Sequence, residues 1–134
     1  VRLQNEGVNV CFFNSIIQVL YSMPDFQTYL AQTSICNTIV TELKNLFKTM
    51  TNANGVVPTS TYIKKLNLSN YRFKQQHDAQ EALAEILNKC YPDTSQSIFS
   101  IKLQESIVCD RNLEGCGEKS EKYEYDQILK FAIQ

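Results

Sequence analysis

The chain has 134 residues, enough for one domain or for part of a larger one. Its 13 basic and 14 acidic side chains nearly cancel, which argues against a nucleic-acid or membrane-surface partner driven by charge. No apolar run reaches membrane-spanning length, no signal peptide opens the chain, and its five cysteines are scattered and odd in number, so a reducing compartment, cytoplasmic or nuclear, is expected.

Taken in order, Arg2 to Val10 reads as a loop, because Asn5, Gly7 and Asn9 break any period. A helix is expected from Cys11 to Ser22. Phe12, Ile16 and Leu20 recur four apart, as do Phe13 and Ile17, so several faces are apolar at once and the helix should be buried nearly all round. Asn9 is its candidate N-cap. Pro24 ends that helix or opens the next turn, and Asp25 to Ala31 forms a short second helix. The clearest amphipathic helix runs from Ile35 to Met50, with Ile35, Ile39, Leu43 and Phe47 four apart. Cys36, near its start, carries no motif and reads as structural. Residues 51–58 form a loop around Asn52-Ala53-Asn54-Gly55. Thr59 or Ser60 then caps a short helix through Lys65, and residues 67–75 are irregular.

Asp78 followed by Glu81 is a capping pair, and it opens a helix with Ala79, Ala82, Leu83, Ile86, Leu87 and Cys90 on one stripe, stopped by Pro92. The period then changes. Phe99, Ile101 and Leu103 alternate with polar residues, and Tyr123, Tyr125, Leu129, Phe131 and Ile133 give a second strand. With Cys109 to Ser120 between them, these strands make an antiparallel hairpin with a long loop. The fold class is α+β: a helical part over 1–96 and a β-hairpin over 97–134.

Cys11 has two readings. It is either one more buried thiol in an apolar segment, or a nucleophile in the first helical turn, where unpaired amides and the positive end of the helix favour a thiolate.

The segment around it resembles the cysteine box of the ubiquitin-specific proteases. Leu3, Asn5, Gly7, Asn9, Cys11, Asn14, Ser15 and Gln18 match, whereas Val8 is an extra residue and Val10 replaces a threonine. Gln76-His77-Asp78-Ala79-Gln80-Glu81 resembles the second signature of that family, with Ala82 in place of a larger apolar residue. Cys116, Gly117 and Ser120 resemble half of the turn with which the family's fingers hairpin holds zinc. Six residues separate Cys109 from Cys116, where the family has two. A structural zinc takes four ligands in two close pairs. No second pair exists, so Cys109 and Cys116 are weak metal candidates, and no metal or other cofactor is assigned.

The resemblance implies a helical thumb from a papain-like cysteine protease fold. It implies a hydrolase that cleaves after the C-terminal glycine of ubiquitin or a ubiquitin-like protein. Cys11 would be the nucleophile, and Asn5, or Asn9 as substitute, the oxyanion donor. Gln76, His77 and Asp78 would line the channel for the ubiquitin tail. The family's catalytic histidine lies beyond this stretch, and His77, the one histidine here, falls at the substrate position. The chain is therefore expected to be a fragment, a natural truncated relative, or one that a second polypeptide completes. The alternative is an inactive relative that binds ubiquitin or serves as a scaffold.

Overall fold

Cys11 begins a helix whose next two side chains, Phe12 and Phe13, turn inward, and a repeat of that spacing builds the core of the helical unit. The computed structural model describes residues 2–5, 7, 9–72, 74–109 and 115–128. They form an α+β fold with two compact units, Val1–Pro92 and Asp93–Gln134.

In the first unit the elements run β1 (Arg2–Gln4), α1 (Cys11–Tyr21), α2 (Pro24–Gln32), α3 (Thr38–Asn52), β2 (Val56–Pro58), α4 (Ser60–Leu66) and α5 (Ala79–Cys90). Phe13 and Ile17 of α1 are fully buried, as are Phe26 of α2, Leu43 and Leu46 of α3, Ile63 of α4 and Ile86 of α5. Each such side chain contributes roughly 1.5–3 kcal/mol when withdrawn from water. The helix α1 is not buried all round, as its apolar count suggests. Ser15 and Gln18 lie in solvent with Val19, which is 57% exposed, and they form an outer face.

The helix ends explain where the elements stop. Asp78 accepts from the backbone N–H groups of Gln80 (2.6 Å) and Glu81 (3.2 Å), the cap expected for α5. α3 starts later than its stripe suggests. Asn37 caps it by accepting from Val40 N–H (2.9 Å), which leaves Ile35 outside the helix. The Asn37 amide also donates to Lys89 O (2.9 Å), tying the start of α3 to the last turn of α5. Tyr29 of α2 donates to Cys90 O (2.5 Å) and stacks on Tyr91 with ring centroids 4.1 Å apart. Asn9 is not the cap of α1. Val10 occupies that position, and no side chain caps the helix.

Arg2 to Gln4 and Val56 to Pro58, both expected as loop, pair as short parallel strands, with Leu3 opposite Val57. Val57 is buried, which fixes the strand to the core.

The second unit holds a short 3₁₀ turn (Thr94–Gln96) and an antiparallel hairpin, β3 (Ile101–Val108) and β4 (Lys119–Asp126). β4 starts earlier than expected. The expected strand positions Leu129, Phe131 and Ile133 lie outside the described residues. Ser97 Oγ donates to the buried Gln127 Oε1 (2.7 Å) and closes the base of the hairpin. Every residue of β4 is exposed. No helix among the described residues is long and apolar enough to cross a membrane.

Candidate active site

The site starts from the end of β1. Pairing with β2 fixes the strand as far as Gln4, and Asn5 follows it directly. Asn14, one turn into α1, then locks this strand to the helix. Its amide donates to Gln4 O (3.1 Å), and its Oδ1 accepts from the fully buried Thr59 hydroxyl (2.5 Å). One side chain thus joins β1, α1 and the start of α4. The backbone carrying Asn5 and the helix carrying Cys11 are held in one register.

Cys11 is the first residue of α1 and is exposed, whereas Phe12 and Phe13 are buried. Its carbonyl accepts from Ser15 Oγ (2.9 Å), and Asn14 N–H bonds Val10 O (2.9 Å) to close the first turn. The reading of Cys11 as a buried thiol therefore fails. Asn5 Oδ1 accepts weakly from Gly7 N–H (3.4 Å), and Gly7, at φ +67°, turns the chain back toward the helix. That bond uses the carbonyl side of the Asn5 amide and leaves the N–H side as a donor. Val8, the inserted residue, lies outside the described residues.

Asn9 behaves differently. It adopts a left-handed conformation (φ +54°), which asparagine tolerates better than most residues, and its amide donates to Lys74 O (2.8 Å). Lys74 is left-handed too, at φ +64°. This bond straps the loop before Cys11 to the segment before α5, and neither residue type signals it in the sequence.

His77 packs between Phe12 and Tyr71, with ring centroids 5.4 and 5.3 Å away. Its Nε2 lies 2.8 Å from Arg72 N and 3.0 Å from Arg72 O, so the tautomer decides whether it accepts from the amide or donates to the carbonyl. Either way that nitrogen is engaged by local backbone. Phe12, Tyr71, His77, Asp78 and Glu81 line a small cleft. The Tyr71 hydroxyl is buried with no hydrogen-bond partner among the described residues, and burial raises its pKa. Asp78 uses Oδ1 for the helix cap, which leaves Oδ2 open to a ligand. Glu85 is committed elsewhere, to the Ser69 backbone and hydroxyl (2.8–3.0 Å). Gln76 is exposed beside His77.

A profile of the ubiquitin carboxyl-terminal hydrolases matches residues 1–125. The chain belongs to the ubiquitin carboxyl-terminal hydrolase family. The match covers the β1 strand, all five helices and most of the hairpin, so the family's hydrolase character applies to this chain at that level. No curated protein is similar enough to be counted as a match. Among the described residues no group of three or more His, Cys, Asp or Glu side chains could hold a metal ion. At the hairpin turn, Cys109 and Cys116 stand together. The Cys109 thiol is held below its usual value, chiefly by a hydrogen bond from the Cys116 thiol and then by the N–H groups of Cys116 and Gly117.

Asn14 belongs to the cysteine-box match, but residue type and spacing alone give it no task there. The place of that residue in the motif was the available signal. Tyr71 lies in a stretch with no periodicity, so nothing in the sequence marks it as a cleft residue.

Proposed function

We propose that this chain is the cysteine-bearing part of a thiol-dependent hydrolase that cleaves after the C-terminal glycine of ubiquitin or a ubiquitin-like protein. Cys11 is the nucleophile. Its thiolate attacks the glycine carbonyl carbon, the C–S bond forms, and the carbonyl oxygen takes the negative charge. Collapse breaks the C–N bond, and the amine leaves with a proton from the base. Water then hydrolyses the thioester and restores the thiol. Asn5 donates its amide N–H to the oxyanion, a contact worth about 3 kcal/mol of barrier when correctly aimed. Asn9 is the weaker choice, because Lys74 O already holds its amide.

Gln76, His77 and Asp78 line the channel that takes the tail, and the open Oδ2 of Asp78 pairs with an arginine of that tail. The base comes from outside these residues, on a further segment or a second polypeptide, because the single histidine is bonded to Arg72. Neither nucleic acid nor membrane enters this reading. The observation that carries it is Cys11 itself, solvent-exposed on the first turn of a helix whose next residues are locked in the core.

A second reading, a non-catalytic relative that binds ubiquitin through the same cleft, draws on the engaged His77. Ubiquitin carrying a C-terminal electrophile separates the two. A covalent adduct by intact mass, lost in Cys11→Ala, is the expected result for the hydrolase. Binding of plain ubiquitin with no adduct would select the second reading.

A further inference from the structure

The neck of the hairpin turn carries two thiols that the hydrolase reading does not use. The strand ladder ends at Val108 opposite Lys119, and Cys109 N–H extends it by one bond to Glu118 O (2.9 Å). Gly117, at φ +72°, then turns the chain so that Cys116 returns to Cys109. Cys116 N–H donates to Cys109 Sγ (3.2 Å). Both thiols are solvent-exposed. A sulfur this close to the partner's backbone nitrogen holds the two residues side by side, as a disulfide requires, since its Cα atoms lie about 4.4–6.8 Å apart. The donors on Cys109 Sγ favour its thiolate, the form that attacks an oxidant.

We propose that Cys109 and Cys116 form a peroxide-responsive thiol pair that closes to a disulfide across the neck of the hairpin. Cys109 is the attacking thiolate and Cys116 the resolving thiol. The Cys109 sulfur attacks one oxygen of hydrogen peroxide, the O–O bond breaks, hydroxide leaves, and Cys109 becomes a sulfenic acid. The Cys116 sulfur then attacks the Cys109 sulfur, the S–O bond breaks, and the S–S bond forms. Hydroxide leaves again, and the thiol proton and solvent complete the two waters. Two thiols and one peroxide thus give one disulfide and two waters.

The test is limiting hydrogen peroxide on the full chain, followed by alkylation and peptide mapping without reduction. Exposed Cys36 serves as the reference thiol. The expected result is a Cys109–Cys116 disulfide that forms at least about tenfold faster than Cys36 oxidises. The intact mass falls by two hydrogens and a dithiol reductant restores it. In Cys116→Ser the reaction stops at Cys109 as a sulfenic acid that a cyclic dione traps. In Cys109→Ser, Cys116 oxidises no faster than Cys36. Oxidation of the pair at the Cys36 rate, or disulfides that join either residue to another cysteine, would overturn the proposal.

Discussion

In residues 1–92 the large apolar side chains of five helices meet in one core, whereas in the hairpin the same residue types stand in water. Phe13, Ile17 and Leu43 are fully buried, but Ile107 and Val108 are about 60% exposed (62% and 59%) and Tyr123 and Tyr125 are about half exposed. The helical unit has the burial that opposes the conformational entropy of its chain. A two-stranded hairpin alone is marginal in water, and this one is held at its base by the Ser97–Gln127 bond. The contrast puts Cys11 and its clamp on the unit with the buried core and leaves the hairpin, among the described residues, with unpaired strand edges, which favour pairing with another strand.

The helical unit depends most on its buried rings. Phe13→Ala removes a fully buried ring and should lower unfolding stability by about 3–5 kcal/mol, read by urea titration. A loss under about 1 kcal/mol would mean that the helical unit does not depend on this core. Asn14→Ala leaves the buried Thr59 hydroxyl without its acceptor and should cost about 1–3 kcal/mol. The same variant should slow adduct formation with electrophilic ubiquitin at temperatures where it is fully folded. An unchanged rate would separate the clamp from the site.

Alkaline pH probes the same core. Burial raises the Cys90 thiol from 9.0 to about 12. Above pH 9 the unfolded thiol ionises while the folded one keeps its proton. This contribution is therefore complete below 9 and is lost as pH climbs toward 12, at up to about 1 kcal/mol per pH unit. Urea midpoints measured from below to above pH 9 should show the decline in the native sequence and a flatter profile in Cys90→Ala. Asp78 sharpens the contrast between fold and function. Asp78→Ala loses the α5 cap and should cost about 1 kcal/mol. Asp78→Asn keeps the cap but removes the charge, so stability should hold while ubiquitin affinity falls. Equal affinities would remove Asp78 from the channel. Ile107→Ala, on the hairpin, should change stability by no more than about 0.5 kcal/mol.

The sequence showed the helices best where periodicity and caps agreed. Asp78 before the α5 stripe is the clearest case, and the structure places its cap there. In α3 the stripe overran the cap. Ile35 has the right spacing, but Asn37 closes the first turn, and a polar residue of that type was visible at the position. β1 and β2 were illegible because three-residue strands have no alternation to read, and their pairing joins segments more than fifty residues apart. The box containing Cys11 was legible as a motif, but its mechanics were not. The double role of Asn14 depends on Gln4 and Thr59, which come together only after the chain folds. Asn9 looked like a cap by residue type, and the strap to Lys74 took it instead.

The most direct measurement compares where two electrophiles land on the full chain. A small neutral alkylating reagent should mark the exposed Cys36, Cys109 and Cys116 as well as Cys11. On the proposed function, in which the cleft beside Phe12 and His77 takes the tail, the same chemistry carried on the C-terminus of ubiquitin should mark Cys11 alone. If the ubiquitin-borne reagent instead spreads over the exposed cysteines in the proportions of the small one, Cys11 is not the centre of a ubiquitin site.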